Sequence, residues 1–135
     1  MAYYMDTSAL VKLVSREPES TELLQWATSV ESPLVTCDLA RTELMRAVRR
    51  LDPGLAVAAR TVLDSLTILK LSTSLFESAI RIEPVEVRSL DALHLAAALA
   101  LGDELEAIVV YDKRLADAAV RYGIAVVSPG AASVE

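Results

Sequence analysis

The chain has 135 residues, of which 53% are hydrophobic, and it carries a formal net charge of −6 at pH 7. This length fits one domain with a sizeable core, and this composition excludes a disordered chain. The negative charge argues against a protein that coats nucleic acid through counterion release, although an enzyme can still act on RNA locally.

The composition also points to a cellular compartment. The single cysteine, Cys37, excludes an internal disulfide and suits a reducing environment. No signal peptide pattern is present, and the longest apolar run, residues 95–101, is too short to span a bilayer. We therefore expect a cytoplasmic protein without membrane contact. The four glycines form neither a GxGxxG nor a Walker loop, which excludes these nucleotide-binding signatures.

Short apolar runs alternate with helical patterns along the chain. In chain order the sequence predicts strand 2–5, helices 7–15 and 19–30, strand 34–37, helices 39–50 and 55–64, strand 66–71, helices 72–82 and 90–101, strand 107–111, helix 113–122 and strand 124–127. Asp6, Asp38 and Ser89 are expected to cap helices, and Gly102 and Gly123 to end them.

This alternation predicts right-handed, parallel βα units. The expected architecture is a single-domain three-layer α/β/α sandwich around a five-stranded parallel sheet. Because no shift in composition marks a second domain, residues 1–128 are assigned to this domain and residues 129–135 to a frayed C-terminal tail.

Four carboxylates stand at the start of predicted helices or in their first turns, namely Asp6, Glu43, Asp91 and Asp112. The carboxyl ends of parallel strands share one edge of a sheet, so these side chains are expected to meet there. Crowded carboxylates repel each other, which raises their pKa values, and a divalent cation is the usual compensation. Three of these acids also have purely structural explanations. Asp6 could cap a helix, Asp91 could interact with a helix dipole and Glu43 could form a surface pair with Arg46. Metal-dependent chemistry is the leading hypothesis.

Four segments carry a resemblance to a known family: DTSALVKL at 6–13, RTEL at 41–44, DALHLAAA at 91–98 and YDKRLA at 111–116. In this order and spacing they resemble the PIN-domain family and, within it, the VapC-type toxin ribonucleases of bacterial toxin–antitoxin pairs. The first and third segments are quite specific, and the resemblance covers residues 3 to about 128. It departs from the family at Val110, where a Thr or Ser is common, and this weakens the assignment of Asp112.

The resemblance implies a PIN-like sheet, a homodimer, Mg²⁺ or Mn²⁺ in an acidic pocket and a cognate VapB-type antitoxin. It assigns catalysis and metal binding to the four carboxylates Asp6, Glu43, Asp91 and Asp112. Ser8 and Thr7 would support them with hydroxyl groups. It further implies that RNA is the substrate and that cleavage leaves 5′-phosphate and 3′-hydroxyl ends.

The chemistry of such a site follows from its ligands. A hard cation held by carboxylates lowers the pKa of a bound water, which can attack a phosphodiester in line. Whether one or two ions bind stays open. Basic side chains near the acids could neutralise the RNA backbone, namely Lys12, Arg41, Lys113 and Arg114. His94 is expected to be hydrogen-bonded near the pocket rim, with general acid–base catalysis as the alternative.

Two other functions remain open: a catalytically idle PIN-fold interaction module and another Mg²⁺-dependent phosphoryl-transfer hydrolase. The presence of all four acids argues against the first. Ser8 argues against the second, because a phosphatase that uses an Asp nucleophile would often carry a DxD pair at residues 6–8. Helices 7–15 and 19–30 carry more apolar surface than one core face needs, which predicts a groove for an apolar, basic antitoxin tail.

Overall fold

The computed structural model describes residues 1–131. Within them the strands and α-helices are β1 (Ala2–Met5), α1 (Thr7–Val14), α2 (Ser20–Ser29), β2 (Leu34–Cys37), α3 (Leu39–Leu51), α4 (Ala56–Asp64), β3 (Thr67–Leu69), α5 (Thr73–Ile80), α6 (Ser89–Leu99), β4 (Leu105–Val109), α7 (Lys113–Arg121) and β5 (Val126–Val127). Short 3₁₀ turns, Pro53–Leu55 and Gly102–Glu104, precede α4 and β4. None of the helices in this part of the chain is long and apolar enough to cross a membrane.

The five strands form one parallel sheet in the order β3-β2-β1-β4-β5. This confirms the predicted sheet. The strand order reverses between β1 and β4, where Met5 pairs with Val109. In open α/β sheets, ligands bind in the crevice beyond the carboxyl ends of the strands at such a reversal. The fold therefore directs attention to the residues that follow β1 and β4.

Helices cover both faces of the sheet because successive strand residues point to opposite sides. Tyr4 belongs to the core under α5, α6 and α7, whereas Met5 belongs to the core under α1 to α4. Helix α6 is buried over most of its length, and its small alanines, such as Ala97, allow it to lie close to the strands. The three-layer sandwich is confirmed.

Two predicted helix caps are wrong. Asp38 has helical backbone angles (φ −53°, ψ −30°) and makes no capping bond, whereas a residue at an N-cap needs extended backbone to turn its side chain toward the first amides. Its carboxylate instead accepts from the amide of Leu71 at 3.4 Å. Ser89 lies inside α6, which begins one residue earlier than predicted, after Arg88.

The segment after β5 is held against the sheet as far as the structure describes it. The Ser128 hydroxyl donates to the carbonyl of Val110 at 2.6 Å, and the Tyr111 hydroxyl donates to that of Pro129 at 2.6 Å. Residues 128 and 129, at the predicted boundary between the domain and the tail, are therefore held by hydrogen bonds. Residues 132–135 lie outside the described part of the chain.

Candidate functional site

Asp6 is the centre of the site, because it follows β1 at the reversal of the strand order. Its amide donates to the carbonyl of Val109 at 3.0 Å, which fixes the backbone against β4. Its Oδ2 accepts from the amide of Ser8 at 3.1 Å and from the Ser8 hydroxyl at 2.7 Å. Asp6 therefore caps α1 and also keeps a buried carboxylate at the sheet edge. The alternative that Asp6 is a helix cap is therefore correct for its Oδ2 atom, whereas its Oδ1 atom has no capping role.

Ser8 links the two strands at the reversal. Its hydroxyl donates to Asp6 and also accepts from the amide of Tyr111 at 3.0 Å. This bond ties the chain after β4 to the start of α1. Asp112 follows directly and caps α7 by accepting from the amides of Arg114 at 2.8 Å and Leu115 at 3.4 Å. Asp112 is exposed, unlike Asp6.

Glu43 reaches the site from the second turn of α3. Its Oε1 accepts from the Thr7 hydroxyl at 2.6 Å and lies 2.6 Å from Nε2 of His94. The alternative of a surface pair with Arg46 is wrong, because the carboxylate turns inward to Thr7 and His94. Burial alone would raise the pKa of Glu43, but the hydrogen bond and charge of His94, with the bond from Thr7, lower it.

His94 is the buried cation of the site. Its side chain is 1% exposed, with Nδ1 2.8 Å from the Tyr4 hydroxyl and Nε2 2.6 Å from Glu43. Burial favours the neutral ring, but hydrogen bonds to Cys37 and Glu43 and the charges of Asp6 and Glu43 outweigh it and raise the pKa of His94 to about 10. The sulfur of Cys37 lies 3.9 Å from Nδ1, so Tyr4 is the closer partner. The imidazolium can therefore donate from both nitrogens.

Asp91 lies within electrostatic reach of the other three predicted carboxylates. It lies in the first turn of α6. Burial raises the pKa of Asp91 most, the negative charges of Asp6, Asp112 and Glu43 raise it further, and the charge of His94 opposes them. Carboxylates from β1, α3, α6 and the start of α7 therefore lie within electrostatic reach of one another. The predicted rise in pKa is therefore found for Asp91. It is not found for Glu43, because His94 lowers the pKa of that carboxyl.

The donor set fits a hard divalent cation. Among residues 1–131, no group of three His, Cys, Asp or Glu side chains is arranged to enclose a metal ion. Mg²⁺ does not require such a cage, because it is usually held by one or two carboxylates and keeps several waters. Asp6 Oδ1 and the Asp91 carboxylate offer oxygen donors of the kind that Mg²⁺ and Mn²⁺ prefer. The raised pKa of Asp91 marks negative charge that a cation would offset.

The predicted RNA contacts differ in their surroundings. Lys12 is 14% exposed and forms ion pairs with Glu17 at 3.0 Å and Glu19 at 2.8 Å, so two carboxylates already neutralise its charge. Arg41 pairs with Asp38.

The two basic residues at the start of α7 also differ. Lys113 pairs with Asp117 at 3.2 Å on the exposed surface. Arg114 lines a cavity beside Asp91, together with Arg88 and Arg121, which the sequence analysis missed. Arg121 stands seven residues after Arg114 on the same helix, a spacing that could have revealed it.

Comparisons with known proteins point to one family. A sequence model of the PIN domain matches residues 3–121. The chain is 47% identical to "Ribonuclease VapC47" of Mycobacterium tuberculosis strain CDC 1551, over 95% of this chain and 97% of that protein.

Solved structures share the fold at lower identity. The structure of Mycobacterium tuberculosis VapC20, described as a toxin that cleaves the sarcin-ricin loop, superimposes with a TM-score of 0.74 at 18% identity, covering 86% of this chain and 94% of that one. A toxin–antitoxin complex from Klebsiella pneumoniae gives a TM-score of 0.72 at 20% identity, with 94% and 97% covered.

Proposed function

This chain belongs to the PIN-domain family, and we propose that it is a metal-dependent endoribonuclease that serves as the toxin of a toxin–antitoxin pair. One observation supports the proposal: at the reversal of the strand order Asp6 Oδ1 and Glu43 Oε1 both lie near His94 Nε2, at 3.7 Å and 2.6 Å, and Asp91 and Asp112 lie within electrostatic reach of them. The 47% identity to a ribonuclease over 95% of the chain supports RNA as the substrate. Such an enzyme would act in the cytoplasm.

The chain's own residues would share the work at the site. Asp6 and Asp91 would hold Mg²⁺ or Mn²⁺, with Glu43 and Asp112 binding directly or through water. When bound, the ion would supply an activated water and neutralise charge on the scissile phosphate. Ser8 orients Asp6 through the bond between its hydroxyl and Oδ2.

Glu43 and His94 would set the charge of the site. Thr7 and His94 both contact Oε1 of Glu43, which fixes its orientation. The imidazolium of His94 lies 3.7 Å from Oδ1 of Asp6, too long for a hydrogen bond but close enough to offset charge. His94 therefore stabilises the cluster before a cation binds, without touching the substrate.

A homodimer is part of the proposal. Helix α5 and the loop before α6 expose Phe76, Ile80 and Val85, the last being 82% exposed. These residues line one cavity of about 270 Å³. A contiguous apolar surface of this kind is typical of a protein interface. Light scattering on the wild type and on Ile80→Glu would test it, with loss of the dimer expected in the variant.

An antitoxin tail would bind between α1 and α2. A cleft of about 360 Å³ there is lined by Leu13, Val14 and Leu24, and Leu24 is 55% exposed. Leu10 and Leu23, by contrast, are fully buried in the core, so the apolar surface of these helices is smaller than the sequence suggested. We propose that an amphipathic tail packs here and aims an Arg or Lys at the carboxylates.

The direct test is RNA cleavage by the purified protein. Total RNA would be incubated with the enzyme in Mg²⁺, in Mn²⁺ and in EDTA. Cleavage with either metal and none in EDTA is expected. The products should carry 5′-phosphate and 3′-hydroxyl ends, which enzymatic ligation can detect. A protein that never cleaves RNA but still binds its antitoxin would instead be an idle interaction module.

A further inference from the structure

The cavity beside the carboxylates lies between the loop before α6 and helix α7. Its volume is about 250 Å³, and Asp91 forms part of its wall. Three arginines line it, namely Arg88, Arg114 and Arg121. We call this cavity the arginine cleft.

The three arginines carry charge that other residues do not neutralise. All three are exposed, and within residues 1–131 none lies within 4.0 Å of a carboxylate oxygen. Three acids also line the cleft, namely Glu86, Asp91 and Asp117. Asp117, however, is already paired with Lys113 at 3.2 Å. Three unpaired guanidinium groups therefore stand against two unpaired acids, Glu86 and Asp91, in a chain whose net charge is −6.

The placement of the arginines suits a chain of phosphates. Arg114 and Arg121 stand seven residues apart on α7 and so lie on one face of the helix, about two turns from each other. Arg88 faces them from the start of α6, three residues before Asp91. Guanidinium groups bind phosphate oxygens through two parallel hydrogen bonds. A nucleic-acid strand that lies over the carboxylates can thus continue between these three arginine side chains.

The lining also has an apolar part, which lies beside the three arginines and the three acids. Val87, Leu115 and Ala118 form the floor between the arginines. Apolar side chains below and cations at the rim are the combination that a nucleotide requires, since its base is flat and its phosphate is charged. The volume of about 250 Å³ lies just below the roughly 300–1,000 Å³ of ordinary small-molecule pockets, which suits one unpaired nucleotide and not a helical stem.

We propose that the arginine cleft binds the nucleotide of a single-stranded RNA next to the scissile phosphate. Arg88, Arg114 and Arg121 contact its phosphates, and Val87 and Leu115 support its base. The inference rests on the proposed ribonuclease function and extends it, because it names the path that the substrate takes away from Asp91. It also explains how a protein of negative charge holds RNA near a cluster of carboxylates.

The test compares the wild type with the double variant Arg88→Gln/Arg121→Gln. The matched control is Arg60→Gln, because Arg60 is exposed on α4, on the opposite face of the sheet. Binding of a fluorescein-labelled single-stranded RNA of about ten nucleotides is followed by anisotropy in EDTA, so that no cleavage occurs, over a series of NaCl concentrations. Circular dichroism melting shows that each variant folds.

The double variant should bind the RNA several-fold more weakly. The slope of log affinity against log salt should fall by about 0.7 for each phosphate contact removed. In cleavage assays with Mg²⁺, KM should rise while kcat stays near that of the wild type, because neither arginine touches the carboxylates. Arg60→Gln should match the wild type in every measurement.

The outcomes separate this inference from the function on which it rests. A double variant with unchanged salt slope and unchanged KM would overturn the arginine cleft and leave the ribonuclease intact. A wild type that cleaves no RNA with either metal would overturn the ribonuclease itself. If the double variant keeps RNA binding but loses affinity for an acidic peptide, the cleft binds protein and the inference is wrong.

Discussion

Replacing His94 with Leu should destabilise the fold strongly, because this side chain joins the core to the site. It is 1% exposed and contacts Glu43 at 2.6 Å and Tyr4 at 2.8 Å. A hydrogen bond to a charged group contributes about 1.5–3 kcal/mol and one between neutral groups about 0.5–1.5 kcal/mol. Glu43 is 23% exposed, so water can partly replace its lost partner. We expect a loss of about 2–4 kcal/mol, which is about 10 °C in Tm for a domain of this size.

Urea unfolding in EDTA at pH 7 would measure this loss. A double-mutant cycle with Glu43→Gln isolates the contact between the two side chains, and its coupling energy should be about 1–3 kcal/mol. His94→Gln is the matched control, since its amide can still donate toward Glu43, and it should lose less stability. A His94→Leu protein within about 0.5 kcal/mol of the wild type would refute the reasoning.

The same variant predicts a pH dependence. The pKa of His94 is raised to about 10 in the folded protein, from an unfolded value near 6.5. The folded state therefore binds more protons, so the stabilisation is complete below pH 6.5 and falls as the pH rises toward 10. The difference in unfolding free energy between wild type and His94→Leu should shrink over this range. A constant difference would mean that His94 is neutral in the fold.

Three further predictions concern the site and its partner. Ser8→Ala removes the hydroxyl that joins Asp6 to the amide of Tyr111, so the free energy of unfolding in urea should fall by about 1–3 kcal/mol and RNA cleavage should slow. Ser74→Ala, at an exposed position, should change neither. Asp91 has a raised pKa, so its ionisation destabilises the metal-free fold at neutral pH. In EDTA, Asp91→Asn should therefore have a Tm equal to or above that of the wild type, and only the wild type should gain stability from Mg²⁺. An antitoxin tail that binds between α1 and α2 should change the fluorescence of the half-buried Trp26, and Mg²⁺ should weaken this binding at constant ionic strength. A tail whose affinity is unchanged by Mg²⁺ and by Asp6→Asn would refute competition at the carboxylates.

The fold and the position of the carboxylates were predictable from local pattern. Asp6 follows a strand directly, and Asp112 follows another three residues after its end, so the shared edge of a parallel sheet brings them together. The same pattern placed Glu43 among these carboxylates but did not predict its partners. Its contacts with Thr7 and His94 depend on how α3 and α6 pack on the sheet, which no sequence spacing encodes.

The basic side chains were less predictable. The ion pairs of Lys12 with Glu17 and Glu19 form because the chain turns back after α1, and that turn is not visible as a helical spacing. Arg88 and Arg121 lie 33 residues apart and line one cavity only because α6 and α7 lie on the same face of the sheet. The positions of basic residues in the sequence therefore did not predict which of them surround the carboxylates.

The most direct test of the central claim is the ribonuclease activity of Asp6→Asn beside that of Asp38→Asn. Both aspartates follow a strand at the same edge of the sheet, but Asp38 contacts Arg41 and the amide of Leu71 and is not among the converging carboxylates. In Mg²⁺, Asp6→Asn should lose cleavage by orders of magnitude while Asp38→Asn retains it. Full cleavage by Asp6→Asn would contradict the proposed metal site.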